Sequence, residues 1–205
     1  MTPFQAFDYA GVAVFAVTGA LVAARLRQDV VTFIFFATVT GIGGGTLRDL
    51  LLGAPVFWVS QQGYLIVCAA AAVAVWILGA HRWPPSVLLW LDAIGLAAYA
   101  AFGAAKATGL GAPPVVAIVM GVMTATFGGV MRDLFGGQPS VFLHREIYVT
   151  AALVSATVFV ILTTFGIGVE IASAAAFVLG LALRAGAILR GWSLPGYGRR
   201  TGETH

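Results

Sequence analysis

Apolar residues dominate seven stretches of the chain, at about 8–25, 30–52, 62–80, 88–108, 114–136, 147–165 and 169–190. A membrane-crossing helix needs about 20 such residues, and most of these stretches reach that length. They are rich in Ala, Val and Leu and lack the period-two alternation of barrel strands, so each predicts an α-helix. Polar or helix-breaking segments separate them: Arg25–Asp29, His81–Pro85, Gly109–Pro114, Leu143–Glu146 and Phe165–Gly168. Pro113 and Pro114 stand where a helix begins, a position that tolerates proline. The expected architecture is an all-α integral membrane protein with seven transmembrane helices. It forms a single transmembrane domain over residues 1–190, followed by a polar, cytosolic tail over 191–205.

The pattern also repeats. At a shift of 84 residues, Asp8 falls on Asp92, Gly11 on Gly95, Gly19 on Gly103, Thr40 on Thr124, and Tyr64 on Tyr148. Gly44 and Gly45 fall on Gly128 and Gly129, and Arg48-Asp49-Leu50 falls on Arg132-Asp133-Leu134, followed by matching glycines and prolines. About 70 residues align without a gap and about 30% are identical. Shared apolar composition would match alanines, not this string. Repeat 1 covers about 7–80 and repeat 2 about 88–165, with a seventh helix at about 169–190 outside both. Three spans per repeat turn the second copy upside down, which makes two inverted three-helix repeats.

Composition removes most other classes. Of 205 residues, 60% are hydrophobic and only 9% charged, against about 25% charged in soluble domains. That excludes a soluble domain, a disordered chain and a coiled coil. The net charge of +3 comes from scattered basic residues that form no stripe, so no nucleic-acid partner is expected. Cys68 is the only cysteine, and no disulfide or metal-type spacing exists. Arg25, Arg27, Arg82, Arg145, Arg190, Arg199 and Arg200 share one side if seven helices alternate. By the positive-inside rule the N-terminus is outside and the C-terminus cytosolic.

Candidate chemistry sits in two helices. The second span carries Gly41, Gly43, Gly44 and Gly45 near its middle; the fifth carries Gly128 and Gly129. Each glycine costs a helix about 1 kcal/mol relative to alanine, so both helices are expected to kink or unwind there. The alternative is close packing of helices through small residues. Thr38, Thr40, Thr124 and Thr126 place hydroxyls one turn earlier. Arg48, Asp49, Arg132 and Asp133 follow the glycines by a turn, roughly 5–7 Å past the midplane at 1.5 Å per residue. Charges at that depth face protein or water. Neighbouring positions on a helix point in different directions, so Arg48 and Asp49 need not neutralise each other. Lys106 has Val22 at its matching position and breaks the symmetry, as a tuning charge or as a side chain snorkelling to the interface. Asp8 and Asp92 read as helix N-caps or as acids at the two mouths. Tyr64 and Tyr148 read as interfacial anchors. Arg184 is expected at lipid headgroups or a neighbouring helix. His81, His144 and His205 are isolated and are given no role.

The strings GIGGGTLRDLLLGAP and TFGGVMRDLFGGQP resemble the prokaryotic trimeric intracellular cation (TRIC) channel family over essentially residues 7–190. The resemblance implies a homotrimer with one pore in each protomer. It implies a monovalent-cation channel, potassium-permeable, with the pore between the glycine-kinked helices 2 and 5. By position, the family's pore and gating elements fall on Gly43, Gly44, Gly45, Gly128 and Gly129, and its charges on Arg48, Asp49, Arg132 and Asp133. Animal members have Lys-Glu-Val and bind phosphoinositides; Arg-Asp-Leu stands here, so that dependence is not carried over. Thr40, Thr124, Asp49 and Asp133 are expected to meet potassium or sodium in passing, with no fixed metal, no cofactor, and lipid bound at most. Lys106 is added to the pore and gating set. The expected place is a bacterial-type inner (plasma) membrane, multi-pass. A secondary transporter for a small zwitterion such as glycine is the alternative, and a small anion channel a third class. No catalytic triad, metal cluster or nucleotide loop points to an enzyme.

Overall fold

The computed structural model describes residues 3–79, 82–137 and 147–194. His81, His144, Arg145, Arg199, Arg200 and His205 lie outside them, as does most of the tail. Among the described residues eight helices follow in order: α1 Pro3–Arg25, α2 Val30–Leu51, α3 Phe57–Ser60, α4 Gly63–Leu78, α5 Pro85–Gly109, α6 Pro114–Phe135, α7 Val149–Thr164 and α8 Val169–Arg190. Five are long and apolar enough to cross a membrane: α1, α2, α5, α6 and α8. The apolar helices α4 and α7 have 16 residues each, so they extend about 24 Å at 1.5 Å per residue. The four-residue α3 lies in a connection that the hydropathy pattern left blank.

Local chemistry sets several ends. Asp29 caps α2: its carboxylate accepts the Thr32 N–H at 2.9 Å. That bond holds the Asp29 carboxyl below its ordinary value, the ionised form being the better acceptor. Pro113 and Pro114 open α6 as expected, and Gly191 ends α8 in the left-handed conformation, φ 65°.

The duplication is visible in the packing. α1, α2 and α4 pack on one another, and α5, α6 and α7 repeat that arrangement. α8 packs on α5 and α7 alone among the principal contacts. The halves meet where α2 crosses α6 and α1 crosses α5. Both crossings are reciprocal. A Cβ on Gly44 would sit on the Thr124 carbonyl oxygen, and one on Gly128 on that of Thr40. A Cβ on Gly11 would strike the Tyr99 ring, and one on Gly95 the Phe15 ring. Moving forward along α2 moves backward along α6, so the helices cross antiparallel. The second copy is therefore inverted relative to the first.

The glycine clusters correct one part of an expectation, the unwound turn. α2 and α6 run as uninterrupted helix through Gly43–Gly45 and Gly128–Gly129, with no unwound turn. Here glycine supplies close approach: backbone meets backbone where any side chain would force the helices apart. The Ala-rich core extends the same principle, with Ala16, Ala37, Ala104, Ala117 and Ala125 wholly enclosed.

Candidate functional site

Two buried ionic clusters flank the α2–α6 crossing. The crossing centres near residues 42 and 126, and each arginine lies six residues beyond, so about 18 Å of helix axis separates them.

In the first, Asp49 is fully enclosed. Its Oδ1 accepts from Arg48 Nε at 2.9 Å and Nη2 at 2.8 Å. Lys106 Nζ lies 3.0 Å from Oδ1 and 3.1 Å from Oδ2. The Phe57 N–H donates to Oδ2 at 3.1 Å, which ties α3 to the site. Lys106 thus joins the two halves, and its side chain keeps 26% exposure. Its counterpart Val22 packs near Gly136 instead.

In the second cluster, Arg132 Nε donates to Asp133 at 2.9 Å. Its Nη1 donates to Asp92 at 2.8 Å and to the Thr18 hydroxyl at 3.2 Å. The adjacent residues of each Arg-Asp string do pair. A guanidinium on a long stem reaches back to the next residue's carboxylate, which Cα directions alone do not reveal. Burial makes such pairing close to obligatory, since an isolated charge there is costly.

Two other expectations are overturned, and a third is decided between its alternatives. Asp8 lies inside α1 and Asp92 inside α5, so neither caps its helix, and both are buried. Asp8 accepts from the Tyr64 hydroxyl at 2.7 Å and the Tyr99 hydroxyl at 2.8 Å. Tyr64 and Tyr148 are enclosed, not interfacial. Arg184 is also enclosed, with its guanidinium 5.1 Å from the Tyr148 ring centre, so the neighbouring-helix placement holds and lipid headgroups do not.

The remaining candidates divide. Thr40 and Thr124 lie in the crossing, both buried. The Thr124 hydroxyl donates to the Met120 carbonyl at 2.6 Å; that of Thr40 makes no hydrogen bond among the described residues. Gly43 faces a groove between α2 and α6, beside Phe127, while Gly44 and Gly128 form the contact itself. Gly45 lies under the Phe57 ring and Gly129 beside the Tyr148 hydroxyl. The structure therefore joins Arg48, Asp49 and Lys106, joins Arg132 and Asp133, and keeps the two groups apart. Sequence reasoning missed Thr18, Phe57 and Tyr99 as partners. It saw Tyr64 and Tyr148 as a matched pair but assigned them to the surface. No group of three or more His, Cys, Asp or Glu able to hold a metal occurs among the described residues.

An inverted duplication with charge buried on both sides of its central crossing defines a class of membrane transport protein. The family model described as "Glycine transporter" matches twice, at residues 5–80 and 89–164, the same shift of 84. The UPF0126 inner membrane protein YadS of Escherichia coli K12 is 37% identical over 192 residues, covering 92% of this chain and 93% of the relative. Bacillus subtilis YvgT, also UPF0126, is 38% identical over 152 residues, 70% of this chain and 73% of the relative. Among solved structures, the TRIC trimeric intracellular cation channel orthologue from Rhodobacter sphaeroides superposes with a TM-score of 0.90 at 47% identity, covering 94% of this chain and all of that one (100%). A second structure, from work on conductance through TRIC cation channels, gives a TM-score of 0.86 at 30% identity, covering 100% of both chains. A TRIC channel from C. elegans shares the fold, with a TM-score of 0.65 at 15% identity. The chain belongs to the prokaryotic TRIC channel family, which includes the UPF0126 proteins.

Proposed function

We propose that this protein is a passive, potassium-permeable channel for monovalent cations, with one pore per protomer between α2 and α6. In this reading it crosses the membrane seven times, the shorter α4 and α7 included. It works as a homotrimer in a bacterial-type inner membrane, with its N-terminus outside. The observation that carries the reading is the pair of buried Arg-Asp clusters flanking a glycine crossing. Buried charge inside a membrane is expensive and accompanies ion paths.

At the crossing the two backbones touch, so conduction requires α2 and α6 to part. Flexing at Gly43–Gly45 and Gly128–Gly129 would part them. Thr40, Thr124 and carbonyls of the opened turns then replace part of the ion's water shell. Asp49 and Asp133 supply attraction that Arg48, Lys106 and Arg132 partly cancel, which favours loose selectivity.

The test is planar-bilayer recording of the purified protein under a KCl gradient. Unitary currents reversing near the potassium potential support the proposal; reversal near the chloride potential overturns it. The name of the matching family model favours a second reading, a carrier for glycine. Saturable glycine uptake into liposomes without unitary currents would establish that reading instead.

A further inference from the structure

The two halves use the same three residues differently. Asp8 matches Asp92, Arg48 matches Arg132, and Tyr64 matches Tyr148. In the second half the α5 acid holds the arginine, at 2.8 Å, while the buried Tyr148 hydroxyl makes no hydrogen bond among the described residues. In the first half the α1 acid holds tyrosine hydroxyls, at 2.7 and 2.8 Å. Arg48 is turned onto Asp49, and its buried Nη1 makes no hydrogen bond among the described residues. The donor idle in each half is the one that the other half uses.

Charge is also unevenly shared. Both cations of the first cluster, Arg48 and Lys106, sit on Asp49, while Asp8 is hydrogen-bonded by neutral hydroxyls. Aromatic rings link the guanidinium to the residues around the second acid. The guanidinium lies 6.0 Å from the Phe57 ring centre and 5.8 Å from that of Phe102. Those rings touch the residues that hold Asp8: Phe57 meets Tyr64 at 4.6 Å and Phe102 meets Tyr99 at 5.5 Å between centroids.

We propose that Arg48 has two stations, Asp49 and Asp8, and passes between them. The hydroxyls of Tyr64 and Tyr99 are the latch that keeps it on Asp49. Arg132 on Asp92 displays the other station filled. Departure is tolerable because Lys106 and the Phe57 N–H stay on Asp49, so that carboxylate keeps a cation. Differences between the copies set the bias. Tyr99 stands where the first copy has Phe15, which adds a hydroxyl to Asp8. Phe102 stands where it has Thr18, so Arg48 meets a ring where Arg132 meets a hydroxyl.

The test reads the side chain directly and does not depend on what crosses the membrane. The full chain, 15N-labelled at arginine in lipid nanodiscs, is followed by Nε relaxation dispersion, which detects exchange on the μs–ms scale. Arg48→Lys identifies the signal by its loss. The expected result is exchange at Arg48 in the wild type, loss of that exchange in Asp8→Asn, and a shift of the signal toward its minor position in Tyr99→Phe. Phenylalanine already fills the matching position 15, so Tyr99→Phe preserves the packing. A static signal, exchange that survives Asp8→Asn, or a signal unmoved by Tyr99→Phe overturns the proposal. Currents that reverse near the chloride potential would leave it standing while removing the proposed function.

Discussion

Gly44 rests its α-carbon against the backbone carbonyl of Thr124, so close that an added Cβ would overlap the oxygen. Gly128 does the same to Thr40. Gly43, one residue away, has nothing nearer than 4.0 Å to its would-be Cβ. Alanine at Gly44 or Gly128 should therefore destabilise the protein by about 1–3 kcal/mol through overpacking. Alanine at Gly43 should be neutral, or stabilise by up to about 1 kcal/mol through helix propensity. Thermal unfolding of the three variants in detergent checks the contrast. Equal effects at Gly43 and Gly44 would refute the contact.

Among the described residues Arg132 is the sole cation bonded to Asp92, and it also holds Asp133. Arg132→Met should cost about 3–5 kcal/mol, because it strands buried charge. Adding Asp92→Asn should restore part of that loss. Melting of the single and double variants provides the comparison, and a double variant no better than the single one would contradict the pairing.

Lys106 differs in being partly exposed and in sharing Asp49 with Arg48. Lys106→Gln should cost little stability, about 1 kcal/mol or less. On the channel reading it removes a positive charge from the path, so unitary potassium current should rise by about twofold or more. Single-channel amplitude is the measurement, and a fall in amplitude would count against Asp49 as an attractive site.

Asp29 gives a pH signature. Its carboxyl titrates lower in the folded chain than its ordinary 3.8, owing to the Thr32 N–H bond. A depressed folded value means that its contribution is complete above the ordinary range and is lost as pH falls through the folded value. The difference in melting temperature between wild type and Asp29→Asn should be constant at neutral pH and shrink in acid below pH 3.8.

Much of this architecture was legible because its signal is long. Seven apolar runs and a gapless repeat survive any local ambiguity, and Gly-Gly-x-x-Arg-Asp-Leu marks the paired helices. Glycine itself was ambiguous. The residue that weakens a helix also lets two helices touch, and only the position of Thr124 opposite Gly44 decides between them. Asp8 and Asp92 were misplaced because each helix starts earlier than its apolar run, at Pro3 and Pro85. Tyr64 and Tyr148 look interfacial in a linear reading, since they stand at the edge of an apolar run. Their burial follows from α4 and α7 being short and tucked against neighbours. The Arg48–Asp49 pairing was hidden by treating direction as fixed at Cβ, where the arginine stem bends freely.

The reciprocal crossing has a consequence for descent. Contacts in which each partner gives what the other gives are those of a two-fold dimer. A half-length ancestor inserted in both directions would have met its own copy through these same glycines and threonines. In such a dimer one gene supplies both partners and every substitution is made twice, whereas in a joined chain each position is free to change alone. Lys106 opposite Val22, and Tyr99 opposite Phe15, are the marks of that freedom.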